Sequence, residues 1–315
     1  MQVPVYLFMG FMDSGKTTLV TETLLENDFL EPGDRGLIIA CEDGDEEYDE
    51  EKLLSRNLCV MEIEDEKNFN PDYLAAINME YEPDMVFVEY NGTWPAAKIL
   101  EMKLPSGWEV VQILSTVDAS TFELYLTNMR QMMMEQVKYA DVVIFNRCTD
   151  DTDKSRFRRI VKAVNRKAQI AYERADGTMD DAGADELPYD INQDYLDITD
   201  ADFGIFYLDV QDDPKKYEGK KIHFLGYVYR PKKMGNKPMF VPGRFAMTCC
   251  VQDIQFIGFK CKYDKASSIP HESWVDVTAE VRYEFAKEYR GKGPVLYATE
   301  VTPAKAPADQ LVYFT

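Results

Sequence analysis

Positive charge is scarce in this sequence. Its 315 residues include 35 Lys and Arg against 56 Asp and Glu, which gives a formal net charge of −21 at pH 7. Binding to nucleic acid without regard to base sequence needs a cationic surface that attracts phosphates. We therefore expect no nucleic-acid partner.

Long apolar runs and a regular cysteine pattern are also missing. No apolar stretch reaches the roughly 18 residues that a membrane span requires. The beginning, MQVPVYLFMG, lacks the basic segment that opens a secretory signal. The spacing of the cysteines matches no regular disulfide framework. They are Cys41, Cys59, Cys148, Cys249, Cys250 and Cys261. These absences predict a cytoplasmic protein without a membrane span.

Apolar residues suffice for two folded domains. They make up 45% of the chain, and aromatic residues make up 12%, which excludes a disordered chain. In the first half, β-rich apolar runs alternate with amphipathic segments that predict helices. The runs cover 3–9, 36–40, 58–63, 85–89, 110–117, 142–145 and 168–172, and the helical segments include 17–25, 71–81, 119–137 and 154–165. This alternation predicts an α/β fold with a doubly wound, mostly parallel sheet.

The pattern changes after an acidic stretch that contains Gly and Pro. Period-two segments then dominate, at 203–210, 221–229, 240–250, 274–285, 294–301 and 310–314. Several short strands with little helix predict a small all-β barrel or sandwich. We expect a first domain over 1–175, an acidic linker over 176–200 and a β domain over 201–315.

The most specific motif is GFMDSGKT at 10–17, which fits G-x-x-x-x-G-K-[ST] at every fixed position. An apolar strand precedes it and an amphipathic helix follows. In such a loop the backbone N–H groups surround phosphates, the lysine reaches the β- and γ-phosphates, and the Thr hydroxyl binds Mg²⁺. The predicted nucleotide-binding residues of this loop are Gly10, Asp13, Ser14, Gly15, Lys16, Thr17 and Thr18.

The loop resembles the GF-x-G-x-GKTTL motif of the CobW-type GTPases, relatives of the urease and hydrogenase metal-insertion GTPases. Four further motifs follow in the family's order, at 41–49 (CEDGDEEYD), 89–92 (EYNG), 117–119 (VDA) and 136–141 (QVKYAD). The resemblance extends to about residue 172. It implies a P-loop NTPase fold that binds GTP and Mg²⁺ and hydrolyses the nucleotide.

Acidic residues supply the remaining candidates for catalysis. Glu89 ends an apolar run, where a carboxylate can hold Mg²⁺ directly or through water. Eight of the ten residues 42–51 are acidic, so most of them must face solvent. The family keeps a mobile switch in this loop. The predicted catalytic set is Lys16, Thr17, Glu42, Asp45, Asp49 and Glu89.

Two motifs depart from the family. Where the family has N-G-C-x-C-C, this chain has NLCVME at 57–62, which leaves Cys59, Met61 and Glu62 as candidate ligands for Zn²⁺ or another transition metal. The alternative is that the cysteine and the methionine are ordinary buried strand residues. In place of N-K-x-D, the base-reading loop has Asn146 and Arg147 with Asp150 one position late. Asp150 or Thr149 would then face the base, and we expect GTP rather than ATP.

The second half resembles YcgQ-type proteins, whose genes are associated with permeases. The shared motifs are YEGKKIHFLGYVY at 217–229, GRFAMTCC at 243–250 and WVDV at 274–277. The resemblance implies a small oligonucleotide-binding-like β-barrel. Cys249 and Cys250 are candidates for a soft-metal site, with a structural role as the alternative.

These observations predict a GTP-hydrolysing protein that works in transition-metal trafficking or insertion, with a metalloprotein as its client. One alternative is a nucleotide-gated scaffold that binds no metal and docks a permease or another protein through its β domain. Another is a P-loop kinase, which the EYNG and QVKYAD motifs disfavour.

Overall fold

The computed structural model of this chain describes residues 2–25, 29–181, 187–248 and 251–314. Its contacts separate into two units, Met1–Gly183 and Ala184–Thr315. The boundary between them falls inside the segment predicted as a linker, 176–200, where two short strands, Met179–Asp180 and Tyr195–Asp197, also lie. Across the described ranges, none of the helices has the length and apolarity that crossing a membrane requires.

The apolar runs of the first unit form one sheet. Its strands are β1 (Val3–Met9), β2 (Gly36–Ala40), β3 (Leu58–Glu62), β4 (Met85–Glu89), β5 (Trp108–Asp118), β6 (Val142–Cys148), β7 (Gln169–Arg174) and β8 (Met179–Asp180). Their order is β3-β2-β4-β1-β5-β6-β7-β8, and every pair is parallel except β7 with β8. Strand order reverses beside β1. In open α/β sheets, ligands bind outside the carboxyl ends of the strands at such a point.

The segments between these strands form helices. They are α1 (Lys16–Leu25), α2 (Glu50–Leu54), α3 (Pro71–Tyr81), α4 (Ala96–Glu101), α5 (Phe122–Asn128), α6 (Arg130–Lys138) and α7 (Lys154–Val164). The single helix predicted over 119–137 is wrong, since two helices occupy this stretch. The chain leaves helical geometry at Met129, whose φ of −138° lies outside the α region.

The alternating side chains of β1 explain why helices cover both faces of the sheet. Leu7 packs with Leu74 of α3 in one buried cluster. Its neighbour Phe8 points to the other face and packs with Val20 of α1 in a second cluster, because successive side chains of a strand face opposite sides. The predicted doubly wound sheet is therefore confirmed.

The second unit contains the predicted barrel. Its elements are β9 (Tyr195–Asp197), α8 (Phe203–Asp212), β10 (Lys221–Tyr229), β11 (Met239–Ala246), β12 (Gln255–Gly258), β13 (Lys260–Lys262), β14 (Trp274–Ala286), β15 (Gly291–Pro303) and β16 (Leu311–Val312). Within residues 187–248 and 251–314, five strands close a ring in the order β10-β11-β13-β15-β14 and back to β10. β13 and β15 pair in parallel and the other pairs are antiparallel. The short strands β12 and β13 were missed by the sequence pattern.

The strand predicted over 203–210 is wrong, because this segment is the helix α8. Its apolar residues are buried on several sides, and a short continuous apolar run does not distinguish a buried strand from a buried helix. Phe203 lies 5.3 Å from Phe224 of the barrel, measured between ring centroids, and Phe206 lies 5.5 Å from Phe259. The helix contributes aromatic side chains to the core of this unit.

Candidate functional site

The phosphate loop lies between β1 and α1, at the carboxyl end of the central strand. Gly10 and Gly15 have φ values of 137° and 92°, in the region that side chains rarely adopt. A Cβ on Gly10 would meet the Thr116 carbonyl oxygen, and a Cβ on Gly15 would lie 2.5 Å from Asn146 Nδ2. Only glycine fits these positions, and the loop keeps its backbone free to surround an anion.

Lys16 is buried inside this loop. Its Nζ donates to the carbonyl oxygens of Gly10 at 3.0 Å and Phe11 at 2.8 Å. It also forms an ion pair with Glu42, whose side chain is 4% exposed against 1% for Lys16. The predicted catalytic lysine and one predicted switch acid are thus in direct contact.

Thr17 and Glu89 meet at the end of β4. Thr17 Oγ1 donates to Glu89 Oε1 at 2.8 Å, and the Tyr48 hydroxyl donates to Glu89 Oε2. Burial and the neighbouring Glu89 raise the pKa of Tyr48, so its hydroxyl remains a donor. Thr17 and Glu89 present hard oxygen atoms, which are the ligands that Mg²⁺ prefers.

The other acids of the switch segment, residues 41–50, have different surroundings. The Asp45 backbone N–H donates to Asp13 Oδ1 at 3.3 Å, so this contact does not use the Asp45 carboxylate. Asp49 caps α2 by accepting the Lys52 backbone N–H at 3.1 Å. Bonds from Lys52 lower the pKa of Asp49. Three acids of the switch segment were predicted to be catalytic, Glu42, Asp45 and Asp49. Among these three, only Glu42 has its carboxylate at the phosphate loop.

Gln136 joins two nucleotide-site loops, a role that sequence analysis did not assign. Its Oε1 accepts the Gly10 N–H at 3.2 Å, and its Nε2 donates to the Gly92 carbonyl at 2.9 Å. The side chain is 2% exposed. A glutamine on the buried face of an amphipathic helix, within the QVKYAD motif, was the available signal.

The predicted base-reading residues separate into two groups. Asn146 Nδ2 donates to the Ser14 carbonyl at 2.7 Å, and Arg147 donates to the Asp13 carbonyl at 2.9 Å. Both line a cavity of about 390 Å³ together with Gly15, Thr18 and the segment 173–177. Asp150 does not line this cavity.

Asp118, in the VDA motif, holds Arg147 in place at 2.6 Å. Burial alone would raise the pKa of Asp118, but hydrogen bonds from Ser120 and the charge of Arg147 lower it. The carboxylate therefore stays ionised beside the guanidinium.

Two known domain families match successive parts of this chain. The CobW/HypB/UreG nucleotide-binding domain matches residues 4–172, and the DUF1980 C-terminal domain matches residues 175–314. This chain belongs to the CobW/HypB/UreG family. Its first unit is a P-loop domain of a nucleoside triphosphatase family, and the resemblance to YcgQ-type proteins in the second half is also confirmed.

Individual relatives are distant. The UPF0703 protein YcgQ of Bacillus subtilis (strain 168) is 25% identical over 118 residues, which are 38% of this chain and 41% of that protein. The chain thus spans about two fifths of the length of this curated relative. Zn(II)-bound YjiA GTPase from E. coli is 14% identical and covers 87% of this chain and 93% of its own, with a TM-score of 0.44. Hydrogenase maturation factor HypB from Archaeoglobus fulgidus is 16% identical, with coverages of 56% and 84% and a TM-score of 0.41.

The candidate transition-metal ligands of this CobW/HypB/UreG member do not come together. Cys59 and Met61 share one face of β3 and pack against the buried cluster there. Glu62 points to the other face, where it lines an acidic cavity of about 150 Å³ with Glu42 and Glu89. No group of three or more His, Cys, Asp or Glu side chains within the described residues is arranged to hold a metal ion. Cys249 and Cys250 lie outside the described residues.

Proposed function

We propose that this chain is a Mg²⁺-dependent GTPase that uses its switch segment to report the nucleotide state and that works in metal handling. Membership of the CobW/HypB/UreG family supports the nucleotide chemistry. The contacts around Lys16, Thr17 and Glu89 support the assignment of each part.

The ion pair between Lys16 and Glu42 carries the proposal. Lys16 is the residue that would neutralise the phosphates, because a P-loop lysine binds the β- and γ-phosphate oxygens. Glu42 pairs with the same lysine, so phosphates and the switch segment would compete for one cation. Nucleotide binding would release Glu42, and the segment that carries it would change its contacts.

The residues at the end of β4 and the beginning of α1 fit Mg²⁺. Thr17 Oγ1 and Glu89 Oε1 lie 2.8 Å apart and are both hard oxygen ligands. When bound, Mg²⁺ neutralises the charge that develops on the phosphates. Tyr48 donates to the second oxygen of Glu89 and holds that carboxylate in position.

Metal handling is the finer part of the proposal. Its support is the family, which includes the metal-insertion GTPases. In this proposal the client of the chain is a metalloprotein. The alternative is a nucleotide-gated scaffold that docks a permease or another protein through the barrel. The separation of Cys59 and Met61 from Glu62 on opposite faces of β3 favours this alternative.

Two measurements on the full chain test these proposals. Release of phosphate from GTP should require Mg²⁺ and should be lost in Lys16→Ala, and ATP should be a poorer substrate. Zn²⁺, Co²⁺ and Cu⁺ are then titrated with and without a non-hydrolysable GTP analogue. Binding of one equivalent that shifts with the nucleotide and is lost in Cys59→Ala would support metal delivery. Absence of binding in every nucleotide state would reject it and favour the scaffold.

A further inference from the structure

The cavity of about 390 Å³ at the carboxyl ends of β6 and β7 contains the residues that would face a nucleotide base. It begins at Gly15 and Thr18 of the phosphate loop and continues along Asn146 and Arg147 to the segment 173–177. A nucleotide whose phosphates lie in the loop would place its base here. The side chains that line this cavity would then decide which purine is accepted.

Among the residues that the structure describes, four acidic side chains line the cavity, and three of them have interactions already. Glu46 Oε2 accepts the Thr18 hydroxyl at 2.5 Å. Asp176 Oδ1 accepts both the backbone N–H and the hydroxyl of Thr178, at 3.0 and 2.6 Å. Glu22 has an interaction of its own as well.

The fourth is Glu173. Within the described ranges, its carboxylate has no hydrogen-bond or ion-pair partner, and its charge contributes to the raised pKa of the Cys148 thiol. Glu173 Oε1 lies 3.8 Å from the point where a Cβ on Gly177 would stand, so the carboxylate lies against the cavity-lining loop. The residue is the fifth of the six in β7, beside β6, which carries Asn146 and Arg147.

Asp150, the acid expected from the base-reading motif, lies elsewhere. Its Oδ1 accepts Arg174 Nη2 at 2.7 Å, and its side chain is 87% exposed. The register of β6 with β7 shifts between Phe145 and Cys148, so the strand does bulge before this residue. Even with that bulge, Asp150 remains outside the cavity that Arg174 lines.

We propose that Glu173 is the specificity-determining residue that recognises guanine in this chain, in place of the displaced Asp150. The carboxylate would accept the N1–H and the exocyclic N2–H of guanine as a pair. Adenine presents an acceptor at N1 and would leave the carboxylate unsatisfied there, which is how a polar site rejects an analogue. This assignment rests on the proposed function, because it requires that the cavity binds GTP.

The test replaces the carboxylate by an amide, either at Glu173 or at Asp150. Affinities of the full-length wild type, Glu173→Gln and Asp150→Asn are measured for the non-hydrolysable triphosphates of guanosine, xanthosine and adenosine with Mg²⁺. A glutamine amide can accept the N1–H of xanthine and donate to its O2. We therefore expect Glu173→Gln to lose at least about tenfold in affinity for the guanosine analogue and to gain at least about tenfold for the xanthosine analogue. Asp150→Asn should keep the wild-type preference.

Glu173→Asp is the control for a loss of affinity caused by misfolding. It keeps the carboxylate on a shorter side chain, so it should bind the guanosine analogue more weakly yet still prefer it to the xanthosine analogue. A switch to xanthosine in Asp150→Asn and not in Glu173→Gln would overturn the assignment. So would a wild type that binds the guanosine and adenosine analogues equally. A wild type that binds neither would overturn the proposed function, and the assignment with it.

Discussion

The exchange of Glu42 for glutamine tests the competition between the switch segment and the phosphates. Removing one partner of a buried ion pair costs about 3–5 kcal/mol. Lys16 keeps the Gly10 and Phe11 carbonyls as acceptors in the variant, and the amide oxygen can still accept a hydrogen bond. We therefore expect the free energy of unfolding to fall by about 2–3 kcal/mol without nucleotide. For a domain of this size, that lowers the Tm by roughly 4–12 °C.

Nucleotide should reverse this loss. Because the phosphates give Lys16 new partners, the penalty of the variant exists mainly in the nucleotide-free state. The Kd of Glu42→Gln for a non-hydrolysable GTP analogue should then be about 30- to 150-fold lower than that of the wild type. Thermal unfolding with and without the analogue, together with titration calorimetry, measures both quantities.

Glu47→Gln is the matched control, because Glu47 belongs to the same segment, is exposed and lines the acidic cavity. The control should unfold at the wild-type temperature and bind the analogue with the wild-type Kd. If Glu42→Gln behaved like this control, the competition for Lys16 would be refuted. Slower hydrolysis by Glu42→Gln, despite tighter binding, would support the place of Glu42 in the predicted catalytic set.

Three other changes probe separate parts of the chain. Thr17→Ala removes the hydroxyl that bonds Glu89, so its nucleotide affinity should fall less than that of the wild type when EDTA replaces Mg²⁺. An undiminished response to EDTA would exclude Thr17 as a Mg²⁺ ligand. Arg244→Ala removes a fully buried guanidinium that pairs with Asp200. The free energy of unfolding of the barrel, measured by calorimetry, should fall by about 2–4 kcal/mol. An unchanged Tm would show that this ion pair does not stabilise the barrel. Iodoacetamide should modify Cys59 well before Cys41, and peptide mass spectrometry measures both rates. The reason is that burial and the nearby Glu89 and Glu42 raise the pKa of the Cys41 thiol. Equal rates of modification would contradict this expectation.

The phosphate loop could be predicted because its chemistry fixes its sequence. Gly10 and Gly15 stand where positive φ values and close contacts exclude any side chain. The strand before them and the helix after them follow from apolar periodicity. The fold of the first unit was predictable for the same reason, since seven β-rich runs alternating with helices allow few other arrangements.

The separate roles of the switch acids could not be predicted. In a run of eight acidic residues the side chains are chemically alike, and the path of the loop decides which one meets Lys16. Asp49 was the exception that local rules could have identified. An Asp followed by Glu50 and Glu51 is a signal for the beginning of a helix, and Asp49 caps α2.

The thiol motif illustrates how strand geometry limits a ligand set. Sequence spacing put Cys59, Met61 and Glu62 within four positions, and this proximity suggested one site. In a strand, however, residues two apart share a face and adjacent residues do not. Cys59 and Met61 therefore face the hydrophobic core, whereas Glu62 faces the acidic cavity. A metal held by all three would require β3 to lose its regular pleat at Met61.

The negative charge of the chain is unevenly divided between the two units. Residues 1–183 contain 18 Lys and Arg against 36 Asp and Glu, whereas residues 184–315 contain 17 against 20. The net charge of −21 therefore belongs almost entirely to the first unit, and it says little about the barrel.

The barrel even has a cavity of about 590 Å³ lined by Lys260, Lys262 and Lys265. Lys262 is already paired with Glu284 at 2.6 Å and Lys260 with Glu288 at 3.0 Å. For the second unit, the expectation of no nucleic-acid partner rests on these local carboxylates, which neutralise two of the three lysines, and not on the charge of the whole chain.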